Sequence, residues 1–266
     1  MKHFLAALAV ISAFFSAQLS APCSARASEV VQIYSAGSLV GPLKEAIAAS
    51  GITAEAVFGP AGLLRQRLEG GEKADLFLSA DLAQPKKLVE ANKSTFVIPF
   101  ARNKLCALSR DSLGVTDDNV LDKMLDPKIR LATSTPGADP GGDYAWAMFA
   151  KADAVHAGAK QVLEAKALKL IGSPNAMVPI AGKTVAASIF LADKADIVIY
   201  YCSGQADTLR DVNGLSSRAL PPALEVPIVY GMTFTGASAE AYRFGLFLLS
   251  DQGQAILKKH ELIPML

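Results

Sequence analysis

Residues 58–81 read FGPAGLLRQRLEGGEKADLFLSAD. The stretch predicts a bare turn, a helix over 63–69, a stop at Gly70-Gly71 and a buried strand at Leu76-Phe77-Leu78. Its first loop, Gly59-Pro60-Ala61-Gly62, carries no charge and no hydroxyl. The first N–H groups of a helix lack intrahelical partners, and that end carries partial positive charge. A loop stripped of side chains lets an anion approach those amides closely.

The same alternation of strand and helix runs outward from this segment. A short apolar strand at 30–34 leads through Ser35-Ala36-Gly37-Ser38 into a helix over 39–50, with Pro42 in its first turn and Gly51 at its end. A second strand is predicted at 55–58 and a helix at 86–91. Residues 96–108 read as a longer strand interrupted by Arg102-Asn103-Lys104, a crossing into a second lobe. There the alternation restarts. Helices are predicted at 121–125, 144–151, 159–170 and 184–192, with strands at 129–133 and 197–201. A strand at 226–230 crosses back, and helices at 239–249 and 252–259 close the chain. The expected architecture is α/β: two lobes, each a mostly parallel sheet flanked by helices, with a ligand cleft between them. The expected boundaries are 28–102 plus 231–266 for the first lobe and 103–230 for the second.

Residues 1–27 are set apart from the fold. Met1-Lys2-His3 is a basic start, 4–15 is almost wholly apolar, and Ala25-Arg26-Ala27 is an A-x-A cleavage site. This is the pattern of a secretory signal peptide, and it implies an exported, periplasmic protein. Cys23 raises a lipidation site, which Pro22 directly before it fits poorly. Cys106 and Cys202 remain after cleavage. Export permits a disulfide, while two buried small apolar side chains is the plainer reading. A formal net charge of +1 over 266 residues argues against a nucleic-acid partner. Of three histidines, only His156 and His260 lie beyond the leader, thin material for a histidine metal site or a Ser-His-Asp triad.

Four loops that precede helices share the bare-loop character: Ser35 to Ser38, Gly59 to Gly62, Asp139 to Asp143 and Gly182-Lys183-Thr184. In open α/β folds such loops gather at the carboxyl edge of the sheet, where ligands bind. Each alone is ordinary turn chemistry; their number, in two lobes, points to an anion. Ser38 has two uses, a hydroxyl offered to a ligand or a helix cap. Tyr200 and Tyr201 end a buried strand on opposite faces, so one reaches the cleft while the other packs. Thr184 is a candidate cap. Lys183 adds charge near these loops or is simply solvated.

Six blocks appear in order: YSAGSLVGPLKEA, FGPAGLLRQRLEGGEKADLFLSAD, FARNKLCALS, ATSTPGADPGGDYAWAMFAKAD, ADIVIYYCSG and LLSDQGQAILKKH. Together they resemble the periplasmic molybdate-binding proteins of ABC transporters, within the type II solute-binding fold. The resemblance implies a monomer without cofactor or metal, not an enzyme. It closes two lobes around a tetrahedral oxyanion, molybdate or tungstate, and delivers it to a membrane permease. It carries ligand contacts onto Ser38, onto Ala61 or Gly62, onto the amides of Gly141 and Gly142, onto a backbone group near Lys183, and onto Tyr201. Ser35, Gly37, Asp143, Thr184 and Tyr200 stand beside these positions as further candidates. Two departures bear on the ligand. Ala61 and Gly62 lack the second-loop hydroxyl of the resemblance. Asp143 opens the third-loop helix; it either points outward and complements the helix dipole, or faces the cleft and favours a cation or a protonated ligand.

Two other readings set bounds. The same fold with Tyr200, Tyr201 and Asp143 against ferric iron, or with another oxyanion, changes only the ligand. An exported hydrolase would need Ser38 as nucleophile and Lys183 as base, but no G-x-S-x-G elbow is present.

Overall fold

A computed structural model of the protein describes residues 30–173 and 176–265. The expected leader at 1–27, with Cys23, lies outside these residues, as does Pro174. Among the described residues no helix is long and apolar enough to cross a membrane.

Two five-stranded sheets form the framework. The first contains β1 (Val31–Ala36), β2 (Ala54–Gly59), β3 (Leu76–Ser79), β4 (Ile98–Asn103) and β10 (Ile228–Phe234), in the spatial order β2-β1-β3-β10-β4. The second contains β5 (Leu105–Arg110), β6 (Leu131–Ser134), β7 (Leu168–Ile171), β8 (Ile197–Tyr201) and β9 (Leu215–Ala219), in the order β7-β6-β8-β5-β9. The middle strands are the most apolar. All four residues of β3 are buried, and so are Ile197, Val198 and Ile199 of β8. Helices cover both faces, so a continuous apolar run is what these positions require.

The sheets are mixed, not mostly parallel as expected. Strands β1, β2 and β3 run parallel, but β10 is antiparallel to both β3 and β4. Likewise β6 runs parallel to β7 and β8, while β5 is antiparallel to β8 and β9. The reason lies in the crossings. The chain leaves the first sheet at Asn103 and enters the second at Leu105, with only Lys104 between. It returns through Pro221 and Pro222 into β10, whose Ile228 faces Asn103. Each sheet therefore receives strands from the other lobe that run against its own. All of β10 pairs in the first sheet.

Both crossings sit at one edge. Leu105 opposes Tyr201, the last residue of β8. Asn103 is the last residue of β4. The hinge thus lies beneath the carboxyl ends of the parallel strands, where β1, β3, β6 and β8 finish.

The helices are α1 (Val40–Ser50), α2 (Ala61–Glu69), α3 (Ala83–Glu90), α4 (Val120–Leu125), α5 (Pro140–Val155), α6 (Ala159–Lys166), α7 (Val185–Leu191), α8 (Gln205–Asp211), α9 (Ala239–Leu249) and α10 (Asp251–Lys259). Helix α1 stops at Gly51, whose φ of 71° is the left-handed conformation glycine adopts freely. The expected helix over 159–170 is two elements. Helix α6 ends at Lys166, whose ammonium binds the carbonyls of Met124 and Asp126, and Ala167 turns extended into the edge strand β7. Sequence patterning also passed over α8 and β9, a short helix and an edge strand.

Cys106 on β5 and Cys202, one residue beyond β8, form a disulfide. The expectation of two separate buried thiols is corrected. The bond closes a loop with a sequence separation of 96, and cross-linking a loop of that order restricts the unfolded chain by up to about 4–5 kcal/mol. The double variant Cys106→Ser/Cys202→Ser should therefore melt about 10 °C lower than the parent, at roughly 2–4 °C per kcal/mol. Thermal unfolding by circular dichroism checks this, and equal melting of parent and variant would show that the thiols are unpaired.

Candidate functional site

The lobes meet at the carboxyl edge of the parallel strands, and the first lobe brings two helix starts there. Strand β1 runs into a 3-10 turn, Gly37–Leu39, and then α1, with no side-chain cap on either. Strand β2 runs through Pro60 into α2, again uncapped by any side chain. Ser38 does not cap its helix. Its Oγ lies 2.9 Å from the hydroxyl of Tyr230, a fully buried residue of β10. Asn103 Nδ2 donates to the same Tyr230 oxygen at 3.0 Å and to Ser203 Oγ at 2.8 Å. Its Oδ1 accepts the Lys104 N–H at 2.8 Å, which fixes the amide's orientation. Both Asn103 hydrogens are thus spent. The Ser38–Tyr230 pair has two hydroxyl hydrogens and one bond between them, so one remains to be given. Ser203 accepts from Asn103 and likewise keeps its hydrogen.

Tyr201 completes this wall. Its ring stands 5.9 Å from that of Tyr230. It is 6% exposed, and its hydroxyl has no hydrogen-bond partner. An orphaned buried hydroxyl costs about 1–3 kcal/mol. Burial, then the neighbouring Tyr230, Asp139, Tyr144 and Asp81, pushes its pKa well above the usual phenol value, so it stays a donor. Tyr200 points to the other face of β8. There it packs in the second lobe's own apolar cluster and against Gly204, where a side chain would collide with its ring.

Gly62 lies against backbone of the opposite lobe. A Cβ there would stand 2.6 Å from the carbonyl oxygens of both Gly137 and Ala138. Of the two expected second-loop positions, Gly62 has no room for a side chain, because backbone from the opposite lobe lies against it. Ala61 beside it is 1% exposed.

The second lobe departs further from expectation. Asp139 caps α5, its Oδ1 accepting the Gly141 N–H at 3.0 Å, while its carbonyl accepts the Gly142 N–H at 2.9 Å. The two amides assigned to the ligand are engaged within the loop. Gly142 serves packing instead, since a Cβ there would meet Pro136 N at 2.4 Å. Lys183 is also spoken for. Its N–H bonds the Ile180 carbonyl, and its ammonium pairs with Asp211 at 3.1 Å. Thr184 caps α7 through the Ala187 N–H and bonds Thr208. Asp143 is exposed and accepts the Gly137 N–H at 2.8 Å, so it braces the loop. Ser35 is fully buried and Gly37 has open space around it.

Two carboxyls that sequence reading did not single out flank the donors. Asp81 is buried and accepts from Ser79 Oγ and the Gln84 N–H. Burial raises its pKa, against the pull of those bonds. Asp139 is pushed up to about 6, by burial first, with Asp143 and Asp81 adding to it and the Gly141 and Ser134 hydrogen bonds opposing it. Among the described residues no group of three or more His, Cys, Asp or Glu side chains is placed to hold a metal ion.

Residues 31–260 match the family described as bacterial extracellular solute-binding protein. The chain belongs to that family. It is 36% identical over 241 residues to the uncharacterized protein PM1146 of Pasteurella multocida (strain Pm70), across 88% of this chain and 98% of that one. Solved structures with the same fold include the sulfate-binding protein SubI of Mycobacterium tuberculosis H37Rv. It matches with a TM-score of 0.73 and 18% identity, covering 89% of this chain and 87% of that one. The periplasmic molybdate-binding protein of Azotobacter vinelandii matches with a TM-score of 0.67 and 18% identity, covering 88% and 98%. At such identities these likenesses establish the two-lobed α/β fold.

In this solute-binding protein, Gly62→Ala should keep the fold but hold the lobes apart. Melting should change by less than about 3 °C, roughly 1 kcal/mol, while small-angle scattering reports a larger radius of gyration. An unchanged radius would show that the lobes do not close on Gly62.

Proposed function

We propose that this protein captures a small tetrahedral oxyanion outside the cytoplasm, molybdate or tungstate first, and presents it to the membrane permease of an ABC importer. It acts as an exported monomer, needs no cofactor and is not an enzyme. The observation that carries the reading is the orphaned Tyr201 hydroxyl. Its ring stands beside a Ser38–Tyr230 pair with a hydrogen in excess. Buried polar groups are satisfied in native proteins, and a ligand oxygen is the partner these donors lack. Neutral hydroxyls and amides suit an oxyanion because they replace its hydration without adding a counter-charge that would have to be desolvated.

His260 is tied to Glu45 at 2.8 Å on the outer α1–α10 contact, and Lys183 pairs with Asp211, so neither is free to serve Ser38 as the base the hydrolase reading needs. A ferric site would need Tyr200 and Tyr201 to converge, and they face opposite sides of β8.

A ligand present at a thousand times its Kd stabilises the folded state by about 4 kcal/mol, equivalent to a rise of roughly 8–16 °C. Millimolar molybdate or tungstate should produce such a shift. Ser38→Ala and Tyr201→Phe should each weaken binding about ten- to a hundredfold, the loss of one hydrogen bond to a charged group. Tyr201→Phe should at the same time leave the ligand-free melting temperature unchanged or raised, since it removes an unpaired buried hydroxyl. Flat melting curves across molybdate, tungstate, sulfate and phosphate would overturn the reading.

A further inference from the structure

We propose that Asp139 sets the specificity of this site, which takes its oxyanion together with one proton held between the ligand and the Asp139 carboxyl. This deepens the oxyanion reading and rests on it. The geometry begins with the loop ahead of α5. There Asp139 consumes the Gly141 and Gly142 amides, so the second lobe offers the ligand a carboxyl where bare N–H groups were expected.

Asp139 also lies close to the opposite lobe. Gly172, held at a φ of 75°, leaves room for it. A Cβ on Gly172 would stand 2.8 Å from Asp139 Cβ, 3.4 Å from Asp139 Oδ2 and 3.5 Å from Pro60 Cβ. Asp139 and Pro60 therefore flank one point, and Pro60 immediately precedes the uncapped start of α2. The Asp139 charge also acts on Tyr201, whose hydroxyl is the orphaned one, and on Tyr200 and Tyr230.

The groups that act on Asp139 carry no positive charge. From its own helix comes Asp143, from the end of β6 Ser134, and from the first lobe Asp81. Tyr200 and Tyr201 on β8 and Tyr230 on β10 complete the surroundings, each held neutral by burial. A carboxylate and a fully ionised oxyanion placed side by side oppose one another, because like charges disfavour double ionisation. One proton resolves the conflict. Either the carboxyl carries it and donates to the anion, or the ligand brings it, as hydrogen phosphate does, and donates to the carboxylate.

The sign of the pH effect follows. The carboxyl is held up to about 6 before a ligand arrives. A dianion such as molybdate selects its protonated form, so binding above that pH must take up a proton. Affinity should then fall about tenfold per pH unit well above that pH, roughly fiftyfold from pH 6 to pH 8. Asp139→Asn keeps the capping oxygen for Gly141 and donates a hydrogen bond at every pH. Its molybdate affinity should be flat over the same range and about a hundredfold tighter than that of the parent at pH 8.

Titration calorimetry with molybdate and tungstate, run in two buffers of unlike ionisation enthalpy, reads both quantities. At pH 7.5 the parent should take up about one proton per ligand and Asp139→Asn none. The parent's proton count needs no variant, so a poorly folding Asp139→Asn does not protect the proposal. Binding by the parent at an affinity independent of pH, with no proton uptake, would overturn the role of Asp139 while leaving the oxyanion reading intact. Absence of binding at every pH, in parent and variant alike, would overturn both.

Discussion

The Tyr230 hydroxyl ties together what the site needs. It is fully buried on one crossing strand, bonded to Ser38 of the first lobe and to Asn103 at the end of the other crossing strand, and through Asn103 it reaches Ser203 of the second lobe. A buried phenol requires partners, and the partners it finds belong to both halves of the molecule. The network therefore fixes the first-lobe serine and the second-lobe turn relative to the hinge itself. It leaves hydrogens over, and those are the ones a ligand would accept.

The fold serves this arrangement through its crossings. Both lie at the carboxyl edge of the parallel strands, so the hinge forms the floor beneath the helix starts. The disulfide anchors the turn that carries Tyr201 and Ser203 against the first strand of the second lobe. Gly62 lets the lobes approach until backbone meets backbone. Asp139 runs against that simplicity: it places a carboxyl among neutral donors, and the cost is relieved only by a proton.

Much of the framework was legible in the residues. Continuous apolar runs marked β1, β3 and β8 because strands covered on both faces admit nothing else. Gly51 marked a helix end by its backbone preference alone, whereas Pro140, the first residue of α5, was read as part of a loop. The antiparallel character of β10 and β5 was not legible, because direction in a sheet is set by where a chain returns rather than by local pattern. Strands β7 and β9 lie at sheet edges with partly exposed faces, and their short runs blend into neighbouring helix and loop.

The site was legible in part. Ser38 was a candidate by loop position; strand alternation left Tyr200 and Tyr201 open and the resemblance favoured Tyr201; the structure brings Ser38 and Tyr201 to one wall. Tyr230 and Asn103 were missed because their meaning lies in partners 192 and 127 residues distant. The bareness of Gly62 was visible, but the backbone pressed against it was not. Gly141 and Gly142 misled for a local reason: Asp139 takes up their amides, and an aspartate ahead of a proline reads equally as a plain cap. The most direct test of the whole account is a crystal structure grown with tungstate, whose tungsten is located by anomalous scattering. The account places the metal atom between the Ser38 and Tyr201 hydroxyls, beside the start of α2 and the Asp139 carboxyl. Tungsten bound elsewhere, or nowhere in a crystal soaked at millimolar concentration, would contradict it.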